Sequence, residues 1–257
     1  MKQDTLNERN GEFVQVPLRL PVFLNSVPKC GTHLIRNIMR MFVPVEQQYH
    51  ATFIQLPLLR QHMAAFDPAR SKLSWGHLLF SDHSSAAMYG VRHVLLVRDP
   101  YKWVLARARF FLSENFQADL DHLKMGRTPV EDLLNMMIFG IHQKAPSLAD
   151  VFTHNAASWM GSPAYVIRYE DLLKHIKALD SMDAQAYFFN LFAHCGIEPV
   201  PEDWRERVRV GSDRQQSATA RENLSGETIA IPDELPAAQK KLVDFHAPGL
   251  RALLGYA

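Results

Sequence analysis

Cysteine is scarce in this sequence, long apolar runs are missing, and neither sign of charge prevails. Two cysteines, Cys30 and Cys195, are too few for a disulfide framework and match no zinc pattern; they read as reduced thiols of a cytosolic protein. No stretch approaches the roughly 20 apolar residues of a membrane span. The opening MKQDTLNERNGEF has no apolar core of a secretory signal. Lys and Arg number 28 against 27 Asp and Glu, a net charge of +1. Nothing global therefore draws the chain to nucleic acid or to an anionic membrane, and any anion site must be local. Internal repeats and low-complexity tracts are absent too. The expectation is a soluble, cytoplasmic protein whose 257 residues, 47% hydrophobic and 21% charged, suffice for one sizeable α/β domain.

What is present is a series of apolar runs that each hand over to a helical pattern. LRLPVFLNSV, Leu18 to Val27, reads as a buried strand followed by the turn Pro28-Lys29-Cys30-Gly31. From Thr32, placed to cap a helix, the apolar residues Leu34, Ile35, Ile38, Met39 and Phe42 recur at helical spacing. VRHVLLVRDP is a second buried strand, broken by Asp99-Pro100, which opens a helix. In AYVIRYEDLL, Ala164 to Tyr169 reads as strand and Glu170 onward as helix. Such strand-then-helix units predict a doubly wound parallel sheet, with ligands at the carboxyl ends of its strands. Residues 1–16 read as an arm or short lead-in, and residues 17–257 as the domain. The stretch from Asp119 to Met160 reads as two helices, the first with Leu133, Met136, Met137 and Phe139 clustered.

The chemistry-bearing residues stand just after the strands. Gly31 lets backbone approach a ligand closely, and the amides of Gly31, Thr32 and His33 would point from a helix N-terminus that favours an anion. Lys29 adds a full charge and Thr32 a hydroxyl; a plain strand-to-helix turn would also use this glycine. The nucleotide loop G-x-x-x-x-G-K-[ST] is not there. Arg98 can fork onto a phosphate, or pair with Asp99 or Glu170. Tyr169 offers a flat ring and a hydroxyl. No H-E-x-x-H or similar metal-ligand spacing occurs among the histidines.

Taken in order, VPKCGTHLI, LLVRDPYKWVLARARFF, VIRYEDLL and the tail GSDRQQSATARENLSGE with LVDFHAPGLRALLGY resemble the cytosolic-type sulfotransferase family across Val22 to Tyr256. The resemblance implies a P-loop-like α/β fold, a central parallel sheet flanked by helices. It also implies 3'-phosphoadenosine-5'-phosphosulfate (PAPS) as sulfuryl donor, 3'-phosphoadenosine-5'-phosphate (PAP) as product, no metal, and a small-molecule acceptor. By that likeness Lys29, Cys30, Gly31, Thr32 and His33 form the phosphosulfate loop. Arg98 and Arg221 reach the 3'-phosphate, and Tyr169 lies near the adenine. His77, 21 residues before Arg98, matches the family's catalytic base, with His83 as the alternative. Lys29 would stabilise the leaving phosphate.

Several positions depart from the family pattern. Cys30 replaces a serine of the loop, and Leu34 replaces a tryptophan that packs on adenine. Ala106, eight residues after Arg98, stands where a serine touches the 3'-phosphate, with Lys102, Arg107 or Arg109 as substitutes. Lys102 itself stands where an aspartate is frequent, and Arg221 is followed by Glu222 and Asn223, not Lys-Gly. A nucleotide-dependent phosphotransferase or a catalytically silent nucleotide-binding relative are the alternative readings. Residues about 44 to 75 and 113 to 150, with Phe53, Phe80, Phe110, Phe111, Met136 and Phe139, are expected to form a partly apolar acceptor pocket. The sequence leaves the oligomeric state open.

Overall fold

The structure, a computed structural model, describes residues 4–50, 53–113, 116, 120–217 and 230–256. In chain order these form α1 (Leu6–Asn10), β1 (Val22–Ser26), α2 (Thr32–Arg40), β2 (Ile54–Gln55), β3 (Leu73–His77), α3 (Asp82–Ala87), β4 (Arg92–Val97) and α4 (Pro100–Leu112). There follow α5 (Val130–Phe139), α6 (Leu148–Asn155), β5 (Tyr165–Arg168), α7 (Tyr169–Lys177), α8 (Met182–His194), α9 (Trp204–Ser212), α10 (Ala237–His246) and α11 (Leu250–Leu253). They fall into two compact units, Met1–Val97 with Trp159–Arg221, and Arg98–Ser158 with Glu222–Ala257. None of the helices among the described residues is long and apolar enough to cross a membrane.

The first unit holds a five-stranded, all-parallel sheet in the order β2-β3-β1-β4-β5. Every residue of the central β1 is buried, as a strand covered on both faces requires. Because all strands run the same way, their carboxyl ends share one edge. Tyr169, read from sequence as strand, instead begins α7; Glu170 and Asp171 in the first turn favour a helix start through its dipole. The two-residue β2 has no apolar run to announce it. It lies so close to β3 that a Cβ on Gly76 would fall 2.1 Å from the Ile54 carbonyl oxygen.

Helix α2 buries Ile35, Ile38 and Met39. Thr32 does not cap it, contrary to the sequence reading. Gly31 occupies the cap position at φ 98°, a backbone conformation that suits glycine, and the Thr32 hydroxyl is spent elsewhere, 2.5 Å from Ser26 Oγ. Along its length α2 packs on α9, where a Cβ on Gly211 would lie 2.5 Å from Ile38 Cα. Helix α1 lies inside the stretch read as an arm or lead-in. Its Asn10 amide donates to the carbonyls of Arg40 and Val43 at the end of α2 (2.5 and 3.0 Å). Both cysteines are buried.

The second unit is helical. Pro100 opens α4, and the Asp99 carboxylate accepts from the Tyr101 amide at 3.0 Å. The same carboxylate takes Arg251 of α11 at 3.1 and 3.2 Å. The two helices expected between Asp119 and Met160 are α5 and α6, with Leu133 and Met137 buried. Arg107 reaches from α4 to the carbonyls of Met137 (3.0 Å) and Pro146 (2.7 Å).

The close α2–α9 crossing yields a test of the fold. Gly211→Ala should cost about 1–3 kcal/mol of stability by forcing α9 off the α2 backbone. Urea unfolding measures this, and an unchanged midpoint would show that the crossing tolerates a methyl group.

Candidate functional site

The loop after β1 turns sharply. Lys29 (φ 67°) and Gly31 (φ 98°) are both left-handed, which a lysine adopts only when its surroundings impose it. The Cys30 amide donates to the Val27 carbonyl at 3.2 Å, and the Leu34 amide closes on the Gly31 carbonyl at 2.9 Å. Gly31 is also a close-approach position, since a Cβ there would stand 2.5 Å from the Tyr169 ring. Thr32 and His33 are the first residues of α2, where amides have no partner within the helix and the dipole favours an anion. Burial pushes the Lys29 amine down to about 8. The Cys30 side chain points into the core and is fully buried. His33 is exposed, its ring 5.3 Å from that of Trp75.

His77 ends β3, beside this loop. Asn25 pairs with Gly76 across the sheet, so the next residues of each strand, Ser26 and His77, come side by side. His77 Nδ1 lies 2.8 Å from the Ser26 carbonyl oxygen and 3.2 Å from its hydroxyl. A carbonyl only accepts, so Nδ1 carries the proton and Nε2 keeps its lone pair. Among the described residues Nε2 has no hydrogen-bond partner. Burial pulls the imidazole down to about 4; the Ser26 carbonyl opposes that shift and the Lys29 charge adds to it. The chain beyond His77 is held from two sides. Asn25 brackets Leu78 by its amide (3.1 Å to the carbonyl) and its oxygen (2.9 Å from the N–H), and Trp159 Nε1 donates to the same carbonyl at 3.1 Å. His83, in contrast, sits on α3 with its exposed ring on Asp82, 3.0 Å away.

Beside the loop opens a cavity of about 230 Å³. Gly31 and the Tyr169 ring line its loop side, Leu34, Leu173 and Ile176 give it apolar walls, and Asn37 and the end of α9 form its polar rim. Leu34 is thus a cavity wall. Arg98 follows the end of β4 and belongs to the second unit. Of the substitutes considered for the missing serine, Arg107 is committed to the two carbonyls named above. Lys102 and Arg109 bond the carbonyls of Asp233 (3.3 Å) and Pro232 (3.0 Å). Arg221 lies outside the described residues. Among the described residues no cluster of three or more His, Cys, Asp or Glu is arranged to hold a metal.

Of the expected pocket residues, Phe53 stands beside His77, with ring centres 5.4 Å apart, and Phe80 packs on Trp159. Phe110 and Phe111 cluster with Phe116, and Phe139 with His246, within the second unit. Sequence reasoning missed Asn25, Ser26 and Trp159. The signal for the first two was present: polar side chains at the end of an otherwise apolar strand.

The His77 environment predicts its titration. The folded state keeps the ring neutral down to about pH 4, whereas the unfolded chain takes the proton near the ordinary value of about 6.5. Between these values unfolding takes up a proton, so this group withdraws stability as pH falls through that window and contributes no penalty above it. NMR titration should find the His77 imidazole neutral at pH 5.5; a midpoint near 6.5 would contradict the buried Ser26-bonded geometry.

Comparison of the sequence with protein-family models finds no match, nor does comparison with curated proteins. Comparison of the structure does find similar folds. The chain is similar to mouse sulfotransferase SULT7A1, whose crystal structure is a complex with PAP, at a TM-score of 0.60 and 14% identity, over 100% of this chain and 95% of that one. The parallel sheet with its flanking helices is thus the sulfotransferase fold.

Proposed function

We propose that this chain is a sulfotransferase that moves the sulfuryl group of PAPS to a hydroxyl or amine of a small-molecule acceptor. The observation that carries the reading is the side-by-side placement of a one-glycine loop bearing Lys29 and a neutral histidine whose Nε2 is open. The PAP bound in the similar mouse sulfotransferase agrees with it. The residues fit the donor. The helix N-terminus at Gly31, Thr32 and His33 suits the 5'-phosphosulfate, and the cavity between Tyr169 and Leu34 has room for a base. In this reading Leu34 and the neighbouring apolar walls do the packing that a tryptophan would do, and Arg98 and Arg221 serve the 3'-phosphate. Cys30 contributes through its place in the turn.

The donor supplies an activated sulfuryl group; the protein aligns the partners and neutralises charge, as loose transfer of this kind demands. His77 Nε2 takes the acceptor's proton as the acceptor oxygen or nitrogen bonds to sulfur. The bond from sulfur to the 5'-phosphate oxygen breaks, its electron pair stays on that oxygen, and Lys29 stabilises the charge. The two pKa shifts are compatible with these roles: neutral His77 and charged Lys29 coexist from about pH 4 to about pH 8. An anion bound beside both raises both values, which makes His77 a stronger base in the complex than in the free protein.

Calorimetry should detect PAP binding, with affinity falling as pH rises through 8 and the Lys29 charge is lost. Lys29→Met should weaken PAP binding and remove that alkaline fall. A thermal shift with magnesium-ATP and none with PAP would overturn the reading in favour of a phosphotransferase. His77→Asn should lower kcat by about 10²–10⁴ while PAP affinity is retained. Wild-type turnover in that variant would remove His77 from the chemistry.

A further inference from the structure

Three polar groups meet at the end of β1. Ser26 Oγ stands 3.2 Å from His77 Nδ1 on one side and 2.5 Å from Thr32 Oγ1 on the other. Both hydroxyl residues are buried, where a hydrogen bond polarises its neighbours more strongly than it does in water. Thr32 opens α2, yet its hydroxyl does not cap that helix, because Gly31 holds the cap position. The threonine turns instead to the residue that holds the histidine.

The partners fix which way the hydrogens run. The Ser26 carbonyl, at 2.8 Å, requires that Nδ1 carry the proton. Toward the neighbouring hydroxyl the ring is therefore a donor too, and Ser26 Oγ accepts. A hydroxyl that accepts still has one hydrogen to give, and Thr32 Oγ1 is within its reach. Thr32, accepting from Ser26, keeps its own hydrogen for a partner at the helix N-terminus, where an anion is favoured. Donors thus run one way, from the ring through two hydroxyls to the loop.

We propose that Ser26 is a positioning residue of the transfer, the middle link of a hydrogen-bond relay from His77 Nδ1 through Thr32 to the phosphate of the bound donor. The inference rests on the sulfotransferase reading and deepens it, since the relay makes the base respond to the seating of the donor. No proton crosses the relay and no covalent bond in it breaks. A phosphate that accepts from Thr32 holds the Thr32 hydrogen toward itself. That turns a Thr32 lone pair to Ser26, and a Ser26 lone pair to Nδ1–H. An oxygen so aimed stabilises the imidazolium that forms when Nε2 takes the substrate's proton. The Ser26 carbonyl serves the same hydrogen in every state; the hydroxyl serves it best when the donor is bound. Among the described residues Lys29 is the charged group that acts on this ring, and Phe53 sets an uncharged ring beside it.

The test follows the His77 ring by NMR titration of the full chain, free and saturated with PAP, and needs no sulfate acceptor. In the wild type, PAP should raise the midpoint from its free value of about 4. Ser26→Ala and Thr32→Val should each make that rise smaller by about 0.5–1 pH unit, the scale of one hydrogen bond. The double variant should lose no more than either single one, because a relay cut once is already cut. Thr32→Ser keeps the hydroxyl and should keep the full rise. Direct attraction between phosphate and ring survives in every variant, so equal rises throughout would overturn the inference. Additive losses in the double variant, or a Thr32→Ser chain that behaves like Thr32→Val, would overturn it too. So would a folded Ser26→Ala chain that no longer binds PAP, since the serine would then be holding the loop itself. Calorimetry establishes saturation of each variant, and thermal unfolding its folded state. Should Ser26→Ala fail to fold, the two Thr32 variants decide. Failure of PAP to bind the wild-type chain is a separate result, and it removes the sulfotransferase reading itself.

Discussion

The hydrogen bond from His77 Nδ1 to the Ser26 carbonyl, 2.8 Å long, is the contact on which the rest of the site depends. It fixes the tautomer, aims the ring and leaves Nε2 with its lone pair, all through a backbone group that no side-chain substitution can remove. Its geometry is inherited from the sheet. The Asn25–Gly76 pairing sets the two strand ends side by side, and the all-parallel order puts every strand's carboxyl end on the same edge. Ser26 also approaches Thr32 through its hydroxyl, so the histidine and the first turn of α2 are referenced to one residue. Asn25 and Trp159 then pin Leu78, which prevents the chain after His77 from rotating the ring away. The His77 ring and the loop after β1 are parts of one braced assembly, which is what the proposed transfer would need from its scaffold.

The electrostatics of the assembly are set by burial. Lys29 and His77 are both pushed down, and Lys29 itself contributes to the depression of His77. Each group thereby becomes sensitive to an arriving anion, because a bound negative charge relieves the cation's desolvation and the histidine's repulsion together.

Much of this was legible in the sequence, and for a physical reason. Strands buried on both faces are continuous apolar runs, and ligands in such sheets sit just beyond them, which singled out Lys29 and Gly31 by position; His77 was singled out by the family resemblance. What escaped was whatever depends on partners distant in the chain. Ser26 and Asn25 look like the polar tail of a strand until the sheet brings them to residues 51 and 53 positions away. Thr32 reads as a cap because the competing Ser26 hydroxyl is invisible to a local pattern. Asp4, Asn7 and Asn10 lie in the stretch read as an arm or lead-in, although they satisfy Arg40 and the carbonyls that end α2. Arg107 looked available to an anion and is consumed by two carbonyls of its own unit.

The central claim is that the loop holds the phosphate of an adenosine bisphosphate within reach of His77. A crystal structure of the chain with PAP tests it most directly. The account predicts the 5'-phosphate on the amides of Gly31, Thr32 and His33, with Lys29 in contact and the adenine in the cavity between Tyr169 and Leu34. Nucleotide bound elsewhere, or a 5'-phosphate that avoids the loop, would contradict it.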